Sequence, residues 1–157
     1  MATKLPLLFL LFLLNSCIST KPPAYNDSDL LDYESPRVKQ ELKNENEFII
    51  SQYSSDKTYG YTIENPVMVG GAGDRIGPTN ERRFLNSLTG PQGEKINYSR
   101  IGSCCLFKTK NGFSGSGGGY LDRYRVTYKG LKDPLEIFIN MYDSDTLKVP
   151  LGLELKK

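Results

Sequence analysis

Histidine and tryptophan are absent from this chain, and only three cysteines are present. Histidine is the usual general base near neutral pH and the commonest zinc ligand. Its absence leaves catalysis to carboxylates, lysine or cysteine, and these residues form no recognisable catalytic or metal-binding motif. The sequence therefore favours a protein that is not an enzyme and that needs no cofactor.

A strong excess of one charge is also missing, because 20 Lys and Arg face 18 Asp and Glu. Nucleic-acid-binding domains usually show a clear basic excess, so nucleic acid is not expected as a partner. The charges are unevenly divided, with four basic and seven acidic residues in 21–47, and fifteen and eleven in 48–157. This division predicts a mildly acidic tether joined to a mildly basic domain.

No apolar run is long enough to span a bilayer as a helix. The longest one, residues 5–14, follows a single positive charge at Lys4 and is followed by polar residues. A spanning helix needs roughly 20 apolar residues, whereas a run of this length and order is typical of an export signal. We therefore interpret residues 1–16 as a signal peptide.

The residues that close this run, Leu14-Asn15-Ser16-Cys17, resemble the lipobox of bacterial lipoproteins. The resemblance implies a diacylglyceryl thioether on Cys17, cleavage before it, and acylation of the new amine. Two or three acyl chains anchor a protein stably, whereas one does so only marginally. Ile18 follows the cysteine, and the absence of Asp there favours the outer membrane. A plain signal peptide with an incidental cysteine is the alternative.

Behind the anchor, residues 17–46 are predicted to form a flexible tether and residues 47–157 a single domain. Ser35 and Pro36 could begin a short helix that ends near Asn46. In the domain, residues 120–128 and 135–142 alternate between two faces and predict an antiparallel hairpin. Further strands are predicted over 48–53, 58–63, 67–69, 95–101, 104–110 and 147–155, the last broken at Pro150, and a helix from Thr79 or Asn80 to Leu88.

The predicted fold class is α+β, a single small domain with a mostly antiparallel β-sheet of about six strands and one or two short helices. Two glycine-rich stretches, residues 70–77 and 113–119, interrupt it. Pro78 follows the first, so no helix N-terminus is free for a pyrophosphate, and no nucleotide is expected. The second predicts either a flexible loop or a flap over a binding surface.

Cys104 and Cys105 are adjacent, which restricts how they can pair. Neighbouring Cα atoms lie about 3.8 Å apart, closer than in ordinary disulfides. Three interpretations stay open: two buried thiols, a vicinal disulfide formed in an oxidising compartment, or a reactive thiol.

A candidate ligand face comprises Arg123 and Arg125 with Tyr120. Ten tyrosines in the chain suggest aromatic stacking on sugars. A solvated strand face and core tyrosines explain the same residues without a ligand.

The chain from Tyr59 onward resembles a family of small bacterial envelope lipoproteins without an established activity. Members often carry the automatic label 2-dehydro-3-deoxyphosphooctonate aldolase, which the residues here do not support, because that enzyme is a cytoplasmic barrel of about 250 residues. The residues that carry the resemblance are Tyr59-Gly60-Tyr61-Thr62, Gly77-Pro78, Arg82-Arg83-Phe84-Leu85-Asn86, Leu88-Thr89-Gly90-Pro91, Gly102-Ser103-Cys104-Cys105-Leu106-Phe107-Lys108-Thr109, Asn140-Met141-Tyr142-Asp143 and Lys148-Val149-Pro150-Leu151-Gly152.

The sequence thus predicts a lipid-anchored envelope protein with a non-catalytic binding or structural role. Its expected partners are the membrane, through the lipid on Cys17, and an envelope protein or glycan. The alternatives are a module that binds glycan or peptidoglycan, and a thiol or redox protein that uses Cys104 and Cys105.

Overall fold

The computed structural model describes residues 30–112 and 117–157. The predicted signal peptide, Cys17 and part of the second glycine-rich stretch lie outside these ranges. Within them, no helix is both long enough and apolar enough to cross a membrane. The elements in chain order are β1 (Leu31–Asp32), β2 (Leu42–Asn44), β3 (Glu47–Phe48), β4 (Gln52–Tyr53), β5 (Val67–Met68), α1 (Gly77–Asn86), β6 (Leu88–Thr89), β7 (Asn97–Lys108), β8 (Gly118–Thr127), β9 (Leu135–Asn140), β10 (Lys148–Val149) and β11 (Glu154–Leu155).

The main sheet has five strands in the order β1-β7-β8-β9-β5. Its centre, β7-β8-β9, is antiparallel, but β1 runs parallel to β7 and β5 runs parallel to β9. The described chain is therefore a small β-rich α+β domain with one helix, and its sheet is mixed. The edge strands reach the sheet through longer connections, so no tight hairpin turn forces them to run antiparallel.

The hairpin of β8 and β9 confirms the prediction from the alternating residues. Asp122 lies opposite Ile139, and Arg125 lies opposite Glu136, in one unbroken register. The connection between the two strands is short, as the polar residues between them predict.

Strand β8 buries opposite faces along its length. Its first half buries Gly119 and Leu121, and its second half buries Tyr124 and Val126. Since successive side chains of a strand point to opposite faces, the sheet has a core on each side. The main core contains Tyr124, Val126, Phe84, Leu85, Ile137 and Ile139, and the second core contains Phe107, Leu121 and Tyr142.

Strand β7 is continuous, although the sequence predicted an interruption at Gly102 and Ser103. The twelve residues of β7 lie beside ten residues of β8 and form ten pairs with them. Ile101 and Cys105 are the two residues of β7 left over, one at each of two bulges. Gly102 and Cys105 have φ angles of 137° and 59°. A bulge places two residues opposite one and sharpens the local twist, so the strand bends here instead of ending.

Helix α1 begins two residues before the predicted cap. Pro78 lies in its first turn, where a missing N–H costs little, so the expectation that Pro78 leaves no helix N-terminus beside the first glycine-rich stretch is wrong. Its buried residues are Gly77, Asn80, Glu81, Phe84 and Leu85, which follow the helical period. The prediction of a second helix over residues 36–46 is wrong, because Leu42 pairs with Phe48 in a small antiparallel ribbon.

The predicted strand over residues 58–63 is also wrong, because this segment folds into turns. The carboxylate of Asp56 accepts hydrogen bonds from the backbone and the hydroxyl of Thr58, at 2.8 and 2.7 Å. Gly60, with φ of 78°, donates its N–H to the carbonyl of Asn65. Such local bonds offer the backbone an alternative to a sheet.

Residues 31–46, which the sequence assigns to the tether, contact the domain in the structure. Leu31 pairs with Phe107 in the main sheet. Further along, Ser144 donates its N–H to the carbonyl of Pro36, and Val38 donates its N–H to the carbonyl of Ser144. These backbone bonds hold the segment along one edge of the fold.

Candidate functional site

An open cleft of about 460 Å³ lies between the segment 37–42 and the first glycine-rich stretch. We call it the cationic cleft. It is lined by Arg37, Val38, Lys39, Gln40, Leu42, Phe48, Val69, Gly70, Gly71, Gly73, Asp74, Ile76, Asn80, Arg83, Asn111, Tyr142 and Ser144.

Gly70 and Gly71, which line the cleft from the first glycine-rich stretch, lie in close contact with neighbouring residues. A Cβ atom on Gly70 would lie 2.8 Å from Cβ of Ser144, and one on Gly71 would lie 2.5 Å from Nδ2 of Asn80. Both residues also have positive φ angles, of 66° and 100°. Glycine is therefore required at both positions for steric and conformational reasons.

Arg37 is held at the cleft by an amide side chain. Its Nε donates to Oδ1 of Asn111 at 2.6 Å, and Nδ2 of Asn111 donates to the buried carboxylate of Asp143 at 2.7 Å. Asp143 also accepts hydrogen bonds from Thr109 and Asn140. The guanidinium group is thus positioned through a fixed amide, and no carboxylate of the described residues forms an ion pair with it.

Arg83 is held in a similar way on the helix side of the cleft. Its Nη1 donates to Oδ1 of Asn80, and its Nε donates to the carbonyl of Glu45, both at 2.9 Å. The Nδ2 of Asn80 in turn donates to the carbonyl of Gly70 at 3.1 Å. A second guanidinium group is therefore fixed by neutral acceptors.

The cleft carries more positive than negative charge. Arg37, Lys39 and Arg83 line it, and Asp74 is its one carboxylate. Within residues 30–112 and 117–157, none of the three cations forms an ion pair, in contrast to Arg100, which does. The arrangement is suited to receive an anionic group.

Apolar side chains are exposed beside these cations. Val38, Leu42 and Ile76 line the cleft and keep 40%, 47% and 40% of their surface exposed. Leu42 and Val38 come from the segment 37–42, and Ile76 comes from the opposite wall. The cleft therefore combines apolar contact surface with positive charge.

A second polar group, the carboxyl cluster, runs from the interior of the domain to its surface: Glu81, Asp122 and Tyr124 are buried, whereas Arg100 and Ser103 are exposed. Tyr124 donates to Oε2 of Glu81 at 2.8 Å. Arg100 donates to both oxygens of Asp122, from Nε at 2.6 Å and from Nη2 at 2.7 Å, and Ser103 donates to Oδ1 at 2.8 Å. The bidentate bond neutralises Asp122 but leaves Glu81 without a cationic partner.

Glu81 is fully buried, and its Oε1 accepts no hydrogen bond from any described donor. The pKa of Glu81 is raised to about 8, first by burial and then by the negative charge of Asp122. The hydrogen bond from Tyr124 and the positive charge of Arg100 lower the pKa of Glu81, but by less. The cluster therefore stores a proton at neutral pH.

An open pocket of about 480 Å³ borders this cluster and is lined in part by Arg100, Asp122 and Tyr124. Glu81 does not line it, since the side chain lies in the protein interior. The described residues contain no group of three or more potential metal ligands.

The sulfur atoms of Cys104 and Cys105 form a disulfide in the structure, with Cα atoms 3.7 Å apart. Both residues are half-buried and pack against the second core. Ser103, which precedes them, belongs to the carboxyl cluster. The pair thus lies at a bulge of β7 between the second core and the buried carboxyl groups.

The three residues of the candidate ligand face do not all lie on one face of the sheet. Arg123 and Arg125 share one face of β8, where Arg123 pairs with Glu136. Tyr120 is an even-numbered residue of the same unbroken strand, so it lies on the other face. Its 47% exposed ring is not available to a ligand that the two arginines contact.

The sequence alone predicted neither the cationic cleft nor the carboxyl cluster, for identifiable reasons. Arg37 and Lys39 lie in the segment that the sequence assigns to the tether. Glu81 occupies a position with the helical spacing of the buried residues Phe84 and Leu85, which was the one available signal.

No protein-family model, curated protein or solved structure matches the chain.

Proposed function

We propose that this protein is a lipid-anchored envelope lipoprotein, in the outer membrane, whose domain binds a partner non-catalytically in the cationic cleft. One observation carries the binding role: Arg37 and Arg83 are fixed by the amides of Asn111 and Asn80, so their charges stay available in an open cleft. The anchor is supported by the residues that end in Cys17.

The anchor is tested by the intact mass of the protein purified from membranes. A chain that begins at Cys17 and carries acyl chains is expected, and Cys17→Ser should move the protein from the membrane to the soluble fraction. An unlipidated chain that starts elsewhere would remove the anchor from this proposal.

The binding role is tested in cells with a photocrosslinking amino acid in place of Lys39. The matched control carries the same group in place of Lys132, an exposed residue of the turn between β8 and β9. Crosslinked products are expected at position 39 and not at position 132. The same crosslinked products at positions 39 and 132 would argue against a role for the cleft in binding a partner.

A second candidate function is a thiol–disulfide reaction at Cys104 and Cys105, favoured by the disulfide between them. A dithiol reductant would donate two electrons and two protons, which open the bond to two thiols, while the dithiol becomes a disulfide. Alkylation in cells, followed by mass measurement, should then show two adducts under reducing growth conditions. A pair that is never alkylated while the protein is folded would exclude this function.

A further inference from the structure

We infer that the cationic cleft accepts an acidic peptide segment of a partner protein, in which a carboxylate lies next to an apolar side chain. The inference rests on the binding role proposed above and assigns a chemical class to the ligand.

The first argument concerns the guanidinium groups. Arg37 uses only Nε in a hydrogen bond, and Arg83 uses Nε and Nη1. Both terminal nitrogens of Arg37 and the Nη2 of Arg83 have no bond within residues 30–112 and 117–157. The planar fork of arginine matches the two oxygens of a carboxylate, so these donors provide a seat for one.

The second argument concerns the apolar wall. Val38 and Leu42 on one side and Ile76 on the other keep at least 40% of their surface exposed. Covering these side chains with an apolar group removes them from water, which favours binding. A ligand that fits both features carries an apolar side chain beside its carboxylate.

The third argument concerns the size and the charge distribution of the cleft. Its volume of about 460 Å³ lies within the roughly 300–1,000 Å³ of small-ligand pockets, which suits a few residues of a peptide. Asp74 is part of the lining and repels a second anionic group. A peptide with spaced carboxylates avoids this repulsion, whereas a uniformly charged sugar polymer does not.

The test uses the full-length protein purified from membranes in a nonionic detergent. The probe is a fluorescent peptide that alternates leucine and glutamate, and binding is followed by fluorescence anisotropy. One comparison peptide has glutamine in place of glutamate, and another has serine in place of leucine. A polyuronate is the competitor that represents an anionic glycan, and inorganic phosphate represents a simple anion.

Binding of the leucine–glutamate peptide is expected to exceed that of both comparison peptides. Arg37→Gln should weaken it about 10-fold, because hydrogen bonds to charged groups are strong, and Lys39→Gln should weaken it about 2- to 5-fold, as for an exposed charge. Lys132→Gln is the matched control and should have no effect. The thermal unfolding midpoint of each variant shows whether the fold is intact.

The remaining outcomes overturn the inference. A polyuronate or phosphate that competes as well as the peptide would assign the cleft to anions in general. Equal binding of the glutamine peptide would remove the role of the carboxylate. If none of the probes binds while Lys39 is crosslinked in cells, the proposed function stands and this ligand class is wrong.

Discussion

Tyr124 donates a hydrogen bond to Glu81 across 2.8 Å in the interior of the domain. Tyr124 belongs to β8 and Glu81 to α1, so this bond joins the helix to the sheet. Burial and the nearby Glu81 raise the pKa of Tyr124, which keeps its hydroxyl a donor. The carboxyl group that accepts the bond has no cationic partner of its own, and its protonation state therefore affects the fold.

The first prediction is that stability falls as the pH rises from about 5 to 8. The pKa of Glu81 is about 8 in the folded chain and near its ordinary value when unfolded. Between these values the folded state binds one more proton, so the free energy of unfolding decreases with pH. We expect the free energy of unfolding to fall by about 1.4 kcal/mol per pH unit. Urea unfolding at a series of pH values measures this slope.

This pH range isolates Glu81 because the chain has no histidine. Glu47 and Glu136 have lowered pKa values, caused mainly by hydrogen bonds to Lys156 and Arg123 respectively, so their stabilising contributions are fully present above about pH 5 and are lost only at lower pH. A free energy of unfolding that is constant or rises between pH 5 and 8 would contradict a protonated Glu81.

The second prediction is that Glu81→Gln removes this pH dependence. A glutamine amide can accept the hydrogen bond of Tyr124, as protonated Glu81 does, without titrating. We expect unfolding free energies that are nearly constant from pH 5 to 8. Glu64→Gln, at an exposed residue, is the control and should retain the slope of the original chain.

The third prediction is that Arg100→Gln destabilises the domain by about 2–3 kcal/mol, because it leaves the carboxylate of Asp122 buried without its charged partner. The side chain of Asp122 is only 5% exposed in this pair. Arg123→Gln breaks the ion pair between Arg123 and Glu136, whose side chains are 36% and 38% exposed, and should destabilise the domain much less. If denaturant unfolding shows equal losses of stability for Arg100→Gln and Arg123→Gln, the prediction that the buried pair contributes more is wrong.

The fourth prediction is that Gly119→Ala destabilises the domain by about 1–3 kcal/mol through overpacking of the second core. Its Cβ would lie 2.8 Å from the ring of Tyr142 and 2.9 Å from Phe107. Gly73→Ala is the matched control, because no atom lies within 4 Å of the added methyl group. Thermal unfolding should separate the two variants, and similar midpoints would show that the second core can adjust.

Local patterns in the sequence determined several parts of this protein. The alternation over 120–128 and 135–142 predicted the hairpin, and a cap at Thr79 or Asn80 predicted a helix that the structure places at Gly77–Asn86. The hairpin and the helix are determined by residues close together in the chain, so they can be predicted from a single sequence. The interpretation of Leu14 to Cys17 as a lipidation site is of the same local kind and stays a prediction.

The tertiary structure decided which polar residues meet. Glu81 and Asp122 are distant in the sequence, and only the packing of α1 on β8 brings them close enough for the charge of Asp122 to raise the pKa of Glu81. The cationic cleft likewise joins Arg37 and Arg83 through Asn111 and Asn80.

Strand direction and the burial of faces were also beyond local reasoning. Parallel edge strands arise from long-range pairing, and β8 changes its buried face because a core forms on each side of the sheet. Alternation shows which residues of a strand share a face, but it does not show which face is covered. The remainder of the chain makes that choice, because burial depends on what packs against the strand.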